Sequence, residues 1–214
     1  MNRDTDVEII ARPVVYDGYG RIEEVHLRHR RHDGGWSRRI DREMLERGHV
    51  AAVMPYDPAL DAVVLVNQFR IGAWGGGEPD PWLLEAVAGI VEPGETFEAV
   101  AHREAMEEAG CTLRALLPIC RYYASPGVLT ECLHVYCGIT DASGVGGIHG
   151  LDHEGEDIEA LVTPLDEALA GIESGRIMDA KAIVALQWID ARRDSLRRRF
   201  GPGGEDGISE TTKR

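Results

Sequence analysis

The sequence predicts an α/β protein with a β-rich N-terminal extension, and five stretches carry that expectation. HVAAVMP at His49–Pro55 and AVVLVNQF at Ala62–Phe69 are apolar runs of strand length, as buried strands are. Thr96 precedes a run free of Gly and Pro, Phe97–Ala109, which closes on Gly110. That is the pattern of a capped helix: an N-cap hydroxyl, Glu98 near the positive end of the dipole, and a glycine able to turn left-handed. Ahead of both, Val7–Asp17 and Arg21–Arg30 are β-rich, with Asp17-Gly18 and Gly20 marking a turn between them.

The remaining elements follow in order. A basic, Gly-containing loop leads to Asp41–Arg47, and Asp57-Pro58 opens a turn between the two buried strands. Trp74–Pro81 holds three consecutive glycines and two prolines, a flexible loop. Cys120–Ala124 and Cys132–Ile139 are expected strands on either side of Ser125–Glu131, and a Gly-rich loop, Ser143–Gly155, follows. Thr163-Pro164 is expected to start a helix, Thr as cap and Pro at the first helical position. Asp179–Phe200 is expected to be one final helix, apolar on one face and Arg-rich towards its C-terminal end. The organisation is therefore an N-terminal segment 1–48, a main domain 49–200 and a tail 201–214 expected to be disordered. So few strands and so little helix would hardly give the N-terminal segment a core of its own.

Composition narrows the function. The chain has 214 residues, 43% hydrophobic and 28% charged, ordinary for one soluble globular domain with a sizeable core. A net charge of −14 argues against nucleic acid and anionic membrane as partners, since both need a basic surface. No apolar stretch is long enough to span a bilayer, and MNRDTDVEII lacks the apolar core of a signal peptide. Cys111, Cys120, Cys132 and Cys137 show no CxxC spacing and are expected as reduced cysteines of a cytoplasmic protein.

The chemistry is concentrated on the helix that follows Thr96. Ala101, Ala105 and Ala109 form a narrow stripe able to lie close against a neighbour, while Glu104, Glu107 and Glu108 crowd one side of little more than a turn. Like charges at that spacing repel, and a divalent cation removes the conflict. The only imidazole on the helix, His102, points to another face, so a hard ion such as Mg²⁺ or Mn²⁺ suits the site and zinc does not.

Gly89, Glu95, Arg103, Glu104, Glu107, Glu108 and Gly110 stand in the order G-x5-E-x7-R-E-A-x-E-E-x-G. Seven fixed positions match by chance in a chain of this size with odds of about 10⁻⁶. The pattern resembles the Nudix box. VEIIAR, ERGHVA, PWLLEAVAG, ASPG, GIHGL, GEDI and IVALQW extend the likeness to the dimeric ADP-ribose pyrophosphatase branch over roughly Asp6–Phe200.

The resemblance implies a mixed β-sheet sandwiched between helices, and a homodimer whose N-terminal segments are exchanged. It implies two or three Mg²⁺ ions (or Mn²⁺) held by Glu104, Glu108, Glu156 and the carbonyl of Ala88. Arg103 would orient the box carboxylates through Glu95 or Glu107, with Gly89 and Gly110 structural. Glu154 matches the general base, a role that Glu156 or a box glutamate such as Glu108 could also take. Arg42 and Arg70 match substrate-binding arginines, whose planar fork suits phosphate. Tyr19 either stacks on adenine or packs beside a turn. Pro126, Gly127 and Glu131 occupy the positions that mark the substrate class. Hydrolysis of ADP-ribose to AMP and ribose 5-phosphate is the activity implied. The alternatives are another nucleoside diphosphate sugar such as GDP-mannose, and a nucleotide-sugar sensor without turnover.

Overall fold

The computed structural model describes residues 2–151 and 155–204, and its chain divides into two compact units. The first comprises Met1–His49 with Tyr122–Leu133. It opens on a single helical turn, α1 (Arg3–Asp6), capped by the Asn2 side chain, which accepts from the Asp4 amide. Four antiparallel strands follow: β1 (Val7–Ala11), β2 (Val14–Asp17), β3 (Arg21–His29) and β4 (Ile40–Glu46). The long β3 carries the others, with β1 paired along residues 26–29, β2 along residues 21–23, and β4 from Arg21 to Leu27. The stretch expected as one β-rich segment, Val7–Asp17, is thus split at Arg12-Pro13, where proline has no amide to give a ladder. Residues 125–130 join this unit through Leu45, whose amide donates to the Val128 carbonyl at 2.8 Å and whose carbonyl accepts from Thr130 at 3.1 Å.

The second unit, Val50–Arg121 with His134–Arg214, is built on a mixed eight-stranded sheet. Its strands are β5 (Val50–Asp57), β6 (Ala62–Phe69), β7 (Trp82–Glu85), β8 (Val87–Ile90), β9 (Ala115–Tyr123), β10 (Cys132–Ile139), β11 (Gly147–His149) and β12 (Ile158–Pro164). The order is β11-β12-β6-β5-β10-β9, with β7 added to β6 and β8 to β5. Every residue of β5 is buried, so both faces of the sheet are covered. Ala51 and Val53 join the cluster formed with helix α3 (Phe97–Ala109), and α5 (Ala180–Asp190) also packs on β5. The alanine stripe of α3 is fully buried at Ala101, Ala105 and Ala109, which lets the helix lie close to β5 and β8. Among the described residues no helix is long and apolar enough to cross a membrane.

Three expectations are corrected. Thr163 and Pro164 end strand β12, paired with Val63 and Ala62, and helix α4 (Leu165–Glu173) starts one residue later without a side-chain cap. The ladder to β6 claims Thr163, and the missing amide of Pro164 stops it. Asp179–Phe200 is two helices, α5 and α6 (Arg193–Phe200), broken at Arg192. The start of the expected loop Trp74–Pro81 is taken by a short helix, α2 (Ile71–Gly75).

The break before α6 coincides with a long-range ion pair. Asp61, in the left-handed region at φ 55°, accepts from Arg193 at 2.8 and 2.5 Å, from Arg197 at 3.1 Å and from the Tyr56 hydroxyl at 2.8 Å. Burial alone would raise the Asp61 pKa, but the Arg193 bond, the Tyr56 bond and the two arginine charges hold it below its ordinary 3.8. A depressed carboxylate stabilises the fold fully above its unfolded pKa and ceases to do so as pH falls through the folded one. Asp61→Asn keeps a residue that tolerates positive φ and removes the charge. It should cost about 1–2 kcal/mol at neutral pH, allowing for solvent screening. In urea titrations the gap to the native chain should close as pH drops below 3.8. A gap that persists unchanged at low pH would exclude the charge as its source.

Candidate active site

The box helix is set by its ends. Thr96 Oγ1 accepts from the Ala99 amide at 3.1 Å, and Gly110, at φ 63°, turns the chain while its amide closes on Met106 O. Between these caps the carboxylates face β8. Glu104 lies directly on Gly89: a Cβ at that position would stand 1.8 Å from Glu104 Oε1, so any larger residue would displace that carboxylate. Glu108 is almost completely buried and accepts from the Ala88 amide at 3.1 Å.

Arg103 joins three carboxylates. It reaches Glu95 at 3.3 Å, Glu104 at 2.7 Å and Glu107 at 3.0 Å, so both expected partners are engaged and a third is added. Glu95 also accepts from the Glu92 amide, and that bond, ahead of the Arg103 interaction, lowers its pKa. Glu156 is brought near by the segment after β11. Its carboxylate accepts from the Leu151 amide at 3.3 Å, and the Gly150 amide donates to Glu107 O at 3.4 Å. His149 lies over Gly110, where an added Cβ would meet its ring at 3.0 Å.

The electrostatics are unbalanced. Burial first, then the charges of Glu104 and Glu156, push the Glu108 carboxyl up to about 8 despite the Ala88 hydrogen bond. Burial, Glu107 and Glu156 likewise raise Glu104, against the pull of Arg103. Glu104, Glu108 and Glu156 therefore sense one another, and the donor set is entirely oxygen. That fits a hard divalent cation. Among the described residues no three such side chains already form a metal cage, since Glu104 is turned to Arg103, Glu108 to Ala88 and Glu156 to Leu151.

Beside this wall stands a second charged group, built on Glu85 and Lys181, which sequence reasoning missed. Arg70 forks onto Glu85 at 2.7 and 2.9 Å, Lys181 bonds the same carboxylate, and Lys181 also reaches Asp179 at 2.9 Å. Burial disfavours the Glu85 anion, yet Arg70 and Lys181 hold its pKa below the ordinary carboxylate range. Sequence reasoning names Arg70 as a substrate arginine and Asp179 as the residue opening the last helical stretch, but not Glu85 or Lys181.

Of the expected substrate residues, Arg70 is in the second unit and the others are in the first. Tyr19 is 86% exposed, which does not fit packing beside a turn. Arg42 is exposed, its guanidinium donating to the Asp41 carbonyl at 2.8 Å. Pro126 and Gly127 form an exposed turn closed by Ser125 O, and Glu131 is largely buried against Arg47 at 3.3 Å. Glu154 lies outside the described residues.

Comparison with known proteins joins this geometry to a family. The NUDIX domain model matches residues 46–183. An ADP-ribose pyrophosphatase of Escherichia coli (strain K12) is 43% identical over 192 residues, 90% of this chain and 91% of the relative. One of Haemophilus influenzae is 38% identical, covering 90% and 89%. A GDP-mannose pyrophosphatase of Cronobacter sakazakii is 35% identical, covering 87% and 96%. A solved structure described as an ADP compounds hydrolase shares the fold, with TM-score 0.65, 19% identity, and coverage of 92% of this chain and 98% of the other. The glycine that admits Glu104, the arginine that gathers the box carboxylates and the match over more than half the chain agree: it belongs to the NUDIX domain family, as a Nudix hydrolase of the ADP-ribose pyrophosphatase branch.

Proposed function

We propose that the chain hydrolyses the pyrophosphate bond of ADP-ribose, with water as the second reactant and AMP and ribose 5-phosphate as products. The relatives named ADP-ribose pyrophosphatase, matched along nine-tenths of the chain, support the substrate. The observation that carries the chemistry is the mutual repulsion of Glu104, Glu108 and Glu156 in a desolvated wall. GDP-mannose is the second substrate to test, because a GDP-mannose pyrophosphatase is 35% identical over most of the chain. A sensor without turnover is disfavoured by the complete set of box carboxylates and by the relatives' names.

Nudix hydrolases generally use divalent metal ions such as Mg²⁺. Here Glu104, Glu108, Glu156 and the Ala88 carbonyl would hold two or three of them. Bound there, the ions supply positive charge for the pyrophosphate oxygens and acidify a water molecule. The chain's own groups do the rest. Arg103 keeps the box carboxylates in register, and Gly89 leaves Glu104 the space it needs. Arg70 spends two of its five N–H donors on Glu85, which fixes the guanidinium plane and leaves three for phosphate. Glu154 is assigned the proton of the attacking water as the P–O–P bond breaks, on the family resemblance. Tyr19, Arg42, Pro126, Gly127 and Glu131 are assigned substrate contacts on the same ground.

A homodimer with exchanged N-terminal segments belongs to the same proposal. It is supported by strands β1 and β2, which are exposed throughout and carry Ile9, Ile10, Val14, Val15 and Tyr16. Strands with that much exposed apolar surface are unusual on a monomer. A cytoplasmic location suits the four free cysteines, and the net charge of −14 speaks against nucleic acid as a partner.

Two measurements follow. With Mg²⁺ and a panel of ADP-ribose, GDP-mannose, ADP-glucose and NADH, AMP release should be fastest from ADP-ribose. Glu104→Gln and Glu108→Gln should each lower kcat by about 100-fold or more, since even groups behind a metal ligand cost 10–100-fold. Unchanged hydrolysis in either variant would refute the metal assignment, and preference for GDP-mannose would move the substrate to the second reading. Sedimentation equilibrium should give twice the 23.5 kDa chain mass, and a chain lacking residues 1–17 should sediment as a monomer. A full-length monomer at micromolar concentration would end the dimer proposal.

A further inference from the structure

The chain from β7 to β8 changes partner at one residue. Up to Glu85 it pairs with β6, Glu85 opposite Val66, and from Val87 it pairs with β5, Val87 opposite Val53. Ala86, between the two ladders, belongs to neither and is only 1% exposed. A buried amide at such a switch has no water to turn to and needs an internal acceptor. The acceptor comes from 93 residues further on: Asp179 Oδ2, at 3.3 Å.

That same Asp179 oxygen caps α5 by accepting from the Ala182 amide at 3.0 Å, while its other oxygen takes Lys181 at 2.9 Å. Lys181, itself buried, holds the Glu85 carboxylate as well. Glu85 and Ala86 are therefore pinned together, one by its side chain and one by its backbone, to the first turn of α5. Two residues on, the Ala88 amide holds Glu108, and the Ala88 carbonyl is the backbone oxygen assigned to the cation. Strands are stiff over so short a span. A shift at Ala86 would be carried to Ala88 and Glu108 almost undiminished, and oxygen ligands of a small divalent cation tolerate little displacement.

We propose that Asp179 and Lys181 are positioning residues for the cation site, fixing the strand switch at Ala86 so that the Ala88 carbonyl and Glu108 present their oxygens together. This rests on the assignment of Glu108 and Ala88 as cation ligands, and the experiment separates the two claims.

Mn²⁺ is titrated into the full-length protein and free ion is followed by electron paramagnetic resonance, alongside thermal unfolding. Asp179→Ser retains a helix-capping hydroxyl but is too short to reach both Ala86 and Lys181. It should weaken Mn²⁺ binding about tenfold or more, with kcat largely recovered at saturating metal. Asp179→Asn keeps an acceptor for both amides and should bind Mn²⁺ more tightly than the Ser variant. A folded Asp179→Ser protein that binds Mn²⁺ within twofold of the native chain overturns the proposal. Should that variant fail to fold, Lys181→Gln is judged by the same criterion. Glu108→Gln is the control: if it too binds like the native chain, the ligand assignment itself is what has failed.

Discussion

The close approach of helix α3 to strand β8 is the constraint on which the site depends. Three buried alanines bring the helix down, and Gly89 leaves no side chain between the strand and Glu104. At that distance Glu108 loses nearly all contact with water and its carboxylate must be satisfied from within. One backbone amide, from Ala88, is what the strand offers. Desolvation and neighbouring charge then act in the same direction, and the protein holds a carboxyl whose proton is retained near neutrality. A helix selected for stability alone would not be built this way. The conflict is one that a hard divalent cation would relieve.

The C-terminal helices hold that approach in place from behind. Asp61, at the β5–β6 turn, gathers Arg193 and Arg197 and so fixes α6, while Asp179 at the start of α5 takes the amide left over where β7 becomes β8. Both aspartates bond groups far away in sequence, and Asp179 satisfies a backbone donor that burial would otherwise leave unpaired. Arg70 and Lys181 share Glu85 between them, so a buried anion is met by two cations. The same few charged groups thus tie the C-terminal helices to the strands beneath the carboxylate wall.

How much of this the sequence discloses follows from the range of the interactions. Helix α3 was legible to the residue, because Thr96, Glu98, the alanine spacing and Gly110 are local signals that act within a turn or two. The box carboxylates and Arg103 were legible for the same reason, though a fixed spacing could not say that Arg103 serves Glu95, Glu104 and Glu107 together. Thr163-Pro164 misled because a helix-start dipeptide competes with seven residues of pairing to β6, and the ladder prevailed. The single helix expected over Asp179–Phe200 failed where Asp61 draws Arg193 aside, and nothing near residue 192 announces a partner at residue 61. Glu85 and Lys181 were missed altogether: a buried ion pair spanning 96 positions has no periodicity and no spacing to betray it.

On the proposed mechanism a divalent cation takes the place of a proton in this wall of carboxylates. Calorimetric titration of Mg²⁺ at pH 7, in buffers of differing ionisation enthalpy, measures the protons released on binding. With Glu108 near 8, the native chain should release close to one proton from that group at pH 7, and the release should fall towards zero as pH rises above about 9. Glu108→Gln should lose that release. Tight Mg²⁺ binding with no buffer dependence at pH 7 would contradict the account.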